Sequence, residues 1–173
     1  MQLYRCQICG DPYLGTAPPT NCPFCGAPEK YIVLAGEYQD RNHIPNLSAR
    51  SRENLVKALD LEVNNAGFYM CASNCAPDPV AQAMFKALSK IEAEHASTIC
   101  KILKVPKPEI KPDTHACQKD PLANFAAAHE REKRAAAFYS QSAQEAMEPR
   151  VQQVFTALTE IETDHIHIAE EWK

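Results

Sequence analysis

IEAEH (Ile91–His95) and IETDH (Ile161–His165) stand 70 positions apart in a chain of 173 residues. Each places a glutamate three residues before a histidine, at the end of an apolar run. Sliding residues 58–95 onto 128–165 without gaps gives fourteen identities in 38 positions. These include Glu62/Glu132, Phe68-Tyr69/Phe138-Tyr139, Pro79/Pro149, Glu92/Glu162 and His95/His165. Unrelated Ala-rich amphipathic helices coincide at Ala and Leu; coincidence at Glu, His, Pro and Phe-Tyr together requires duplication of a helix pair.

The periodicity predicts four helices, over about 47–75, 78–103, 120–146 and 148–171. APDPV and MEPRV form short joints between antiparallel neighbours, with Asp78 as N-cap and Pro79 at the first helical position. KVPKPEIKPDTHACQKDP, between the second and third helices, is too rich in proline for a helix and long enough to run the length of a bundle. The expected fold is mainly α, a ferritin-like four-helix bundle with one long crossover.

Phe85, Leu88, Glu92 and His95 fall on one stripe of the second helix, as do Phe155, Leu158, Glu162 and His165 on the fourth. Leu55, Glu62 and Tyr69 share a face of the first, and Phe125, Glu132 and Tyr139 of the third. Four glutamates and two histidines thus stand where a bundle wants leucine. Four bare buried carboxylates would cost many kcal/mol. Two divalent metals balance that charge, and the i, i+3 spacing brings Glu and His over one spot. Glu92 and Glu162 are expected to bridge the metals, Glu62 and Glu132 to be terminal, and His95 and His165 to serve one metal each. Tyr69 and Tyr139 read either as hydrogen-bond donors to the terminal glutamates or as ordinary core aromatics.

Residues 1–36 differ in kind. Cys6-x2-Cys9 and Cys22-x2-Cys25 are two metal-gripping knuckles, each followed by a glycine (Gly10, Gly26) where the backbone turns tightly. LYRC and EKYIVL read as short strands. Four thiolates suit a single iron or zinc, and spacing does not separate the two. The expected organisation is this metal-binding β/loop module over 1–36, a linker over 37–46 and the bundle over 47–173.

YRCQICG…APPTNCPFCGAPEKYIVL resembles the short rubredoxin-like module of rubrerythrins, and Glu62, Glu92, His95, Glu132, Glu162 and His165 match the di-iron ligands of that family. With the cysteines first, the order resembles its "reverse" members. The resemblance implies one mononuclear iron on four cysteines feeding electrons to a di-iron centre that reduces hydrogen peroxide to water. It further implies an external electron donor, a reductase or rubredoxin. The implied assembly is a homodimer or larger oligomer, with one subunit's cysteine site near another's di-iron site. The chain departs from the family at Ala135, where a further glutamate is usual. His129 is the available substitute, although it reads as a half-exposed residue near a helix start. Ala135 keeps open a di-iron oxidase or ferroxidase acting on dioxygen. The extra cysteines keep open a non-enzymatic redox sensor with zinc at the four-cysteine site.

A net charge of −4 and pI near 5.9 argue against nucleic-acid or anionic-membrane surfaces. The N-terminus lacks a signal-peptide pattern and no stretch suits a bilayer span, so a cytoplasmic protein with reduced thiols is expected. Cys71, Cys75, Cys100, His115 and Cys117 read as incidental free side chains, with a second thiolate site or redox pair as the alternative. His43, His167 and Trp172 carry no readable signal.

Overall fold

The computed structural model describes residues 1–172. Three strands open the chain: β1 (Gln2–Cys6), β2 (Pro12–Gly15) and β3 (Ile32–Leu34), in an antiparallel sheet of order β2-β1-β3. Tyr4 pairs with Tyr13 on one side and with Leu34 on the other. The expected EKYIVL strand is half realised: behind Pro28, Glu29–Tyr31 form a 3₁₀ turn, and the strand begins only at Ile32. PYLG, bracketed by a proline and a glycine, gave no strand signal, yet as β2 it pairs with β1.

Four helices follow: α1 (Ala49–Cys75), α2 (Pro79–Leu103), α3 (Pro121–Glu145) and α4 (Pro149–Glu171). Their starts follow from local chemistry. Ser48 caps α1 by accepting from Ser51 N, Asp78 caps α2 through Ala81 N at 2.7 Å, and Asp120 caps α3 through Leu122 N. Proline occupies the first position of α2, α3 and α4, where its missing N–H costs no helical bond. α2 stops at Lys104, whose φ of 58° is left-handed.

α1 packs along α2 and α3 along α4, and α1 meets α3 across the bundle. The crossover lies against α1 at Gly67, where an added Cβ would stand 2.7 Å from the Lys111 carbonyl oxygen and Asp113 N donates to Gly67 O at 3.0 Å. That close approach explains the one glycine in the helical part of the chain.

The stretch expected as a linker is fastened down: Arg5 lies over the Tyr38 ring, Asn42 is buried, and Ile44 and Leu47 pack on the core. One apolar cluster runs from Cys6, Ile8, Cys25 and Tyr31 into Leu55, Ile99, Phe155 and Ile161. A second gathers Phe68, Tyr69, Phe85 and Phe125 at the other end of the bundle, with Trp172 stacked on Phe125. Among the described residues no helix is long and apolar enough to cross a membrane.

Candidate metal centres

Because the helices present the predicted stripes inward, Glu62, Glu92, Glu132 and Glu162 are all fully buried, and His95 and His165 nearly so. Their ligand atoms form two overlapping groups: Glu62, Glu92, His95 and Glu162 in one, and Glu92, Glu132, Glu162 and His165 in the other. Glu92 and Glu162 belong to both. His95 Nδ1 lies 3.3 Å from Glu62 Oε2, 3.4 Å from Glu92 Oε2 and 3.6 Å from Glu162 Oε1. His165 Nδ1 lies 2.9 Å from Glu162 Oε2 and 3.1 Å from Glu92 Oε1. Neither Glu92 oxygen, nor Glu162 Oε1, has a hydrogen-bond donor among the described residues. Buried carboxylate oxygens without donors, aimed at a shared space with two imidazoles, fit a pair of divalent cations.

The electrostatics agree. Burial pushes the Glu62 and Glu132 carboxyls well above the usual range, and neighbouring Glu92 adds to both. Burial also opposes a charged Glu92, but the adjacent His165 and His95 imidazoles outweigh it and hold Glu92 low. For the imidazoles burial is again outweighed, by Glu62 and Glu92 at His95 and by Glu162 and Glu92 at His165, so both are raised.

Tyr69 and Tyr139 are donors to the carboxylates, but across the bundle. Seven residues along a helix is roughly 10.5 Å, too far for a tyrosine to reach its own helix's glutamate. Instead Tyr139 donates to Glu62 at 2.6 Å and Tyr69 donates to Glu132. Burial, then the neighbouring carboxylate, raises both phenols, which therefore stay protonated and able to donate. Asn65 Nδ2 adds a bond to Glu132 at 3.3 Å. Ala135 is buried in the apolar cluster beside Tyr139 and Phe155. His129 does not stand in for a carboxylate there: its nitrogens meet Glu130 and Glu170, each at 3.2 Å.

The four cysteines of the N-terminal module close into a second cluster. Cys6 and Cys25 sulfurs lie 3.7 Å apart, and Cys9 and Cys22 sulfurs 3.8 Å apart. A tetrahedral metal with bonds of about 2.3 Å separates its sulfurs by about 3.8 Å, so the cage has the right size. Gly10 and Gly26 have φ of 87° and 76°, the left-handed turns expected after each knuckle. Ile8 N and Asp11 N donate to Cys6 and Cys9 sulfurs. Hydrogen bonds with Cys22 and Cys25 hold the Cys6 thiol low and push the Cys9 thiol high.

The two clusters touch. His95 presents Nδ1 to the carboxylates and its other nitrogen, Nε2, to the Cys25 carbonyl at 2.8 Å. Within this one chain, the cysteine module lies directly against the carboxylate cluster. Arg150 fixes the docking, donating to Gln7 O at 2.7 Å, Ile8 O at 2.8 Å and Asn42 Oδ1 at 2.9 Å. Lys101 Nζ donates to Cys9 O at 2.7 Å, and Lys30 pairs with Glu160. Neither Arg150 nor Asn65 was legible as functional. The one available signal is that Arg150 takes the register of Val80 in the repeat.

The expectation of free cysteines elsewhere fails for two of them. Cys71 and Cys117 form a disulfide, because the crossover held over Gly67 descends beside the end of α1. Cys75 and Cys100 are free thiols, while His115 and His167 are exposed. His43 Nδ1 lies 3.1 Å from Lys104 Nζ.

Comparison with known proteins agrees with this architecture. The rubrerythrin family model matches residues 53–173. Reverse rubrerythrin-1 of Clostridium acetobutylicum is 27% identical over 113 residues, which cover 60% of this chain and 62% of that protein. The chain thus matches somewhat less than two thirds of that relative's length. A hypothetical protein of Pyrococcus furiosus shares the fold, with a TM-score of 0.60 over 70% of this chain and 86% of that one, at 19% identity.

Proposed function

The chain belongs to the rubrerythrin family, with its cysteine cluster ahead of the helices, and we propose that it is a cytoplasmic non-haem iron oxidoreductase reducing hydrogen peroxide to water. Glu62, Glu92, His95, Glu132, Glu162 and His165 would hold two irons, with Glu92 and Glu162 shared between them. Cys6, Cys9, Cys22 and Cys25 would hold a third. When bound, the paired irons supply the two electrons of H2O2 + 2 e⁻ + 2 H⁺ → 2 H2O, and the cysteine-bound iron returns electrons singly from an external donor.

The observation that carries this reading is the His95 link. One imidazole joins the carboxylate cluster to the carbonyl of a metal-site cysteine. A ligating histidine commonly anchors its other ring nitrogen on a backbone carbonyl; here that carbonyl belongs to a cysteine of the second cluster, which gives a short bonded path between the two centres. The protein's other contributions are positional. Tyr69 and Tyr139 fix the outer carboxylates by donating to them, and the Phe68–Phe85–Phe125 and Phe155–Ile161 clusters keep bulk water away from the buried oxygens.

One observation favours a second reading, dioxygen reduction or ferrous oxidation at the same centre. Ala135 leaves no carboxylate where the family's usual seventh one would stand, and His129 turns toward Glu170 instead. Metal analysis of the purified protein, then turnover with peroxide and with dioxygen under one electron donor, decides between them. Faster peroxide turnover supports the peroxidase and faster dioxygen turnover the oxidase. Zinc at the four cysteines, with no turnover on either, refutes both.

A further inference from the structure

Three cysteines outside both metal clusters lie together where the crossover meets the end of α1. Cys71 and Cys75 are one helical turn apart, and Cys117 stands four residues before α3. Cys71 is bonded to Cys117, and the Cys75 sulfur lies 3.6 Å from the Cys117 sulfur. The burial is graded: Cys71 is buried, Cys117 half-buried and Cys75 exposed. A disulfide that merely staples the crossover needs two cysteines, so the third calls for its own account.

The segment that presents Cys117 is held from both sides. Asp113 N donates to Gly67 O, Ala116 N donates to Asp113 O at 3.1 Å, and beyond Cys117 the amide of Asn124 exchanges two hydrogen bonds with the Gln118 backbone. Cys117 is thereby kept within reach of both helix cysteines. Exchange requires a thiolate beside a disulfide sulfur, which Cys75 supplies at the surface.

We infer that Cys71, Cys75 and Cys117 form a thiol–disulfide exchange site that accepts electrons from an external dithiol. The Cys75 thiolate attacks the Cys117 sulfur. A Cys75–Cys117 bond forms, the Cys71–Cys117 bond breaks, and Cys71 takes up the proton that Cys75 released, with no net redox change. The disulfide has then moved from a buried partner to an exposed one. An external dithiol attacks it to give a mixed disulfide, and the dithiol's second sulfur displaces the chain. The dithiol leaves as a disulfide, and the chain gains two thiols with two electrons and two protons. An external disulfide drives the reverse sequence. This site owes nothing to the peroxide reading. It also reconciles the disulfide with a reducing compartment, since cytosolic disulfides are mostly exchangeable ones.

The test is disulfide mapping of the full-length, iron-loaded protein, equilibrated with a mixture of reduced and oxidised glutathione, acid-quenched, alkylated and analysed by peptide mass. The wild type should yield both Cys71–Cys117 and Cys75–Cys117 peptides, Cys71→Ser only Cys75–Cys117, and Cys75→Ser only Cys71–Cys117. Reduction by a thioredoxin-type protein dithiol should slow by about tenfold or more in Cys75→Ser, because the exposed isomer is lost. Retained absorbance of the four-cysteine iron centre certifies that each variant is folded. Free, alkylated Cys75 and Cys117 in Cys71→Ser would overturn the inference. So would wild-type reduction rates in Cys75→Ser, or stoichiometric zinc held by three thiolates in place of any disulfide.

Discussion

The two halves of the bundle, α1–α2 and α3–α4, carry the same candidate metal ligands and the same core aromatics around them, yet differ at most other positions. Glu62, Glu92 and His95 are repeated by Glu132, Glu162 and His165, and even the tyrosine contacts are exchanged symmetrically between Tyr69 and Tyr139. Around them the halves have diverged wherever something docks. Asn65, Gly67, Cys71, Cys75 and Val80 in the first half stand opposite Ala135, Ala137, Gln141, Glu145 and Arg150 in the second. Gly67 and Cys71 meet the crossover, and Arg150 meets the cysteine module. A buried charge cluster tolerates little change, whereas a docking surface can be rebuilt on one copy alone.

Substitutions can break this comparison at different depths. The shared centre gives the largest effect: Glu92→Ala removes a carboxylate common to both groups and should abolish paired-metal binding. Metal analysis should fall to the cysteine-bound ion, with turnover down by at least about 100-fold. Next comes the docking arginine. Arg150→Ala takes its donor from the buried Ile8 carbonyl and the half-buried Gln7 carbonyl and should cost about 2–4 kcal/mol in denaturant unfolding. Its register mate Val80 is exposed, and Val80→Arg should stay within about 0.5 kcal/mol.

The glycine pair gives a smaller contrast. Gly67→Ala drives a Cβ into the Lys111 carbonyl and should destabilise by about 1–3 kcal/mol. Ala137→Gly, on an exposed helical surface, should cost only about 1 kcal/mol of helix propensity. The tyrosines sharpen the comparison further. Tyr139→Phe should reduce turnover about tenfold, and Tyr69→Phe by less, because Glu132 keeps its bond from Asn65.

The smallest effect concerns Glu148, where α4 begins beside α1. Burial raises its pKa, but the Ser51 hydroxyl and Ser48 N–H outweigh that and lower it. A depressed folded value means that the contact contributes above the ordinary glutamate value, roughly pH 4.3, and is lost as pH falls through the folded one. Glu148→Gln should therefore lower Tm by about 2 °C at neutral pH and leave it unchanged in acid.

The fold and the candidate ligands were legible because their signals are local or periodic: a stripe of carboxylates at helical spacing, proline after a capping residue, paired cysteines with glycine behind. The unforeseen features depend on which surfaces meet. The crossed tyrosine contacts follow from antiparallel packing of α1 against α3, the Cys71–Cys117 bond from the path of the crossover, and the roles of Arg150 and His95 Nε2 from where the cysteine module sits. A sequence period records which face is buried. It does not record what that face will touch.

His95 and Cys25 join the two centres within the chain. A rapid-mixing experiment tests that link: the iron-loaded protein is reduced anaerobically, mixed with two equivalents of peroxide per chain, which demand more than the two electrons of the paired irons, and followed by the absorbance of the ferric four-cysteine centre. Electron transfer along this path predicts reoxidation of that centre at least as fast as steady-state turnover, at a rate independent of protein concentration. Reoxidation slower than turnover, or none while peroxide is consumed, would contradict it.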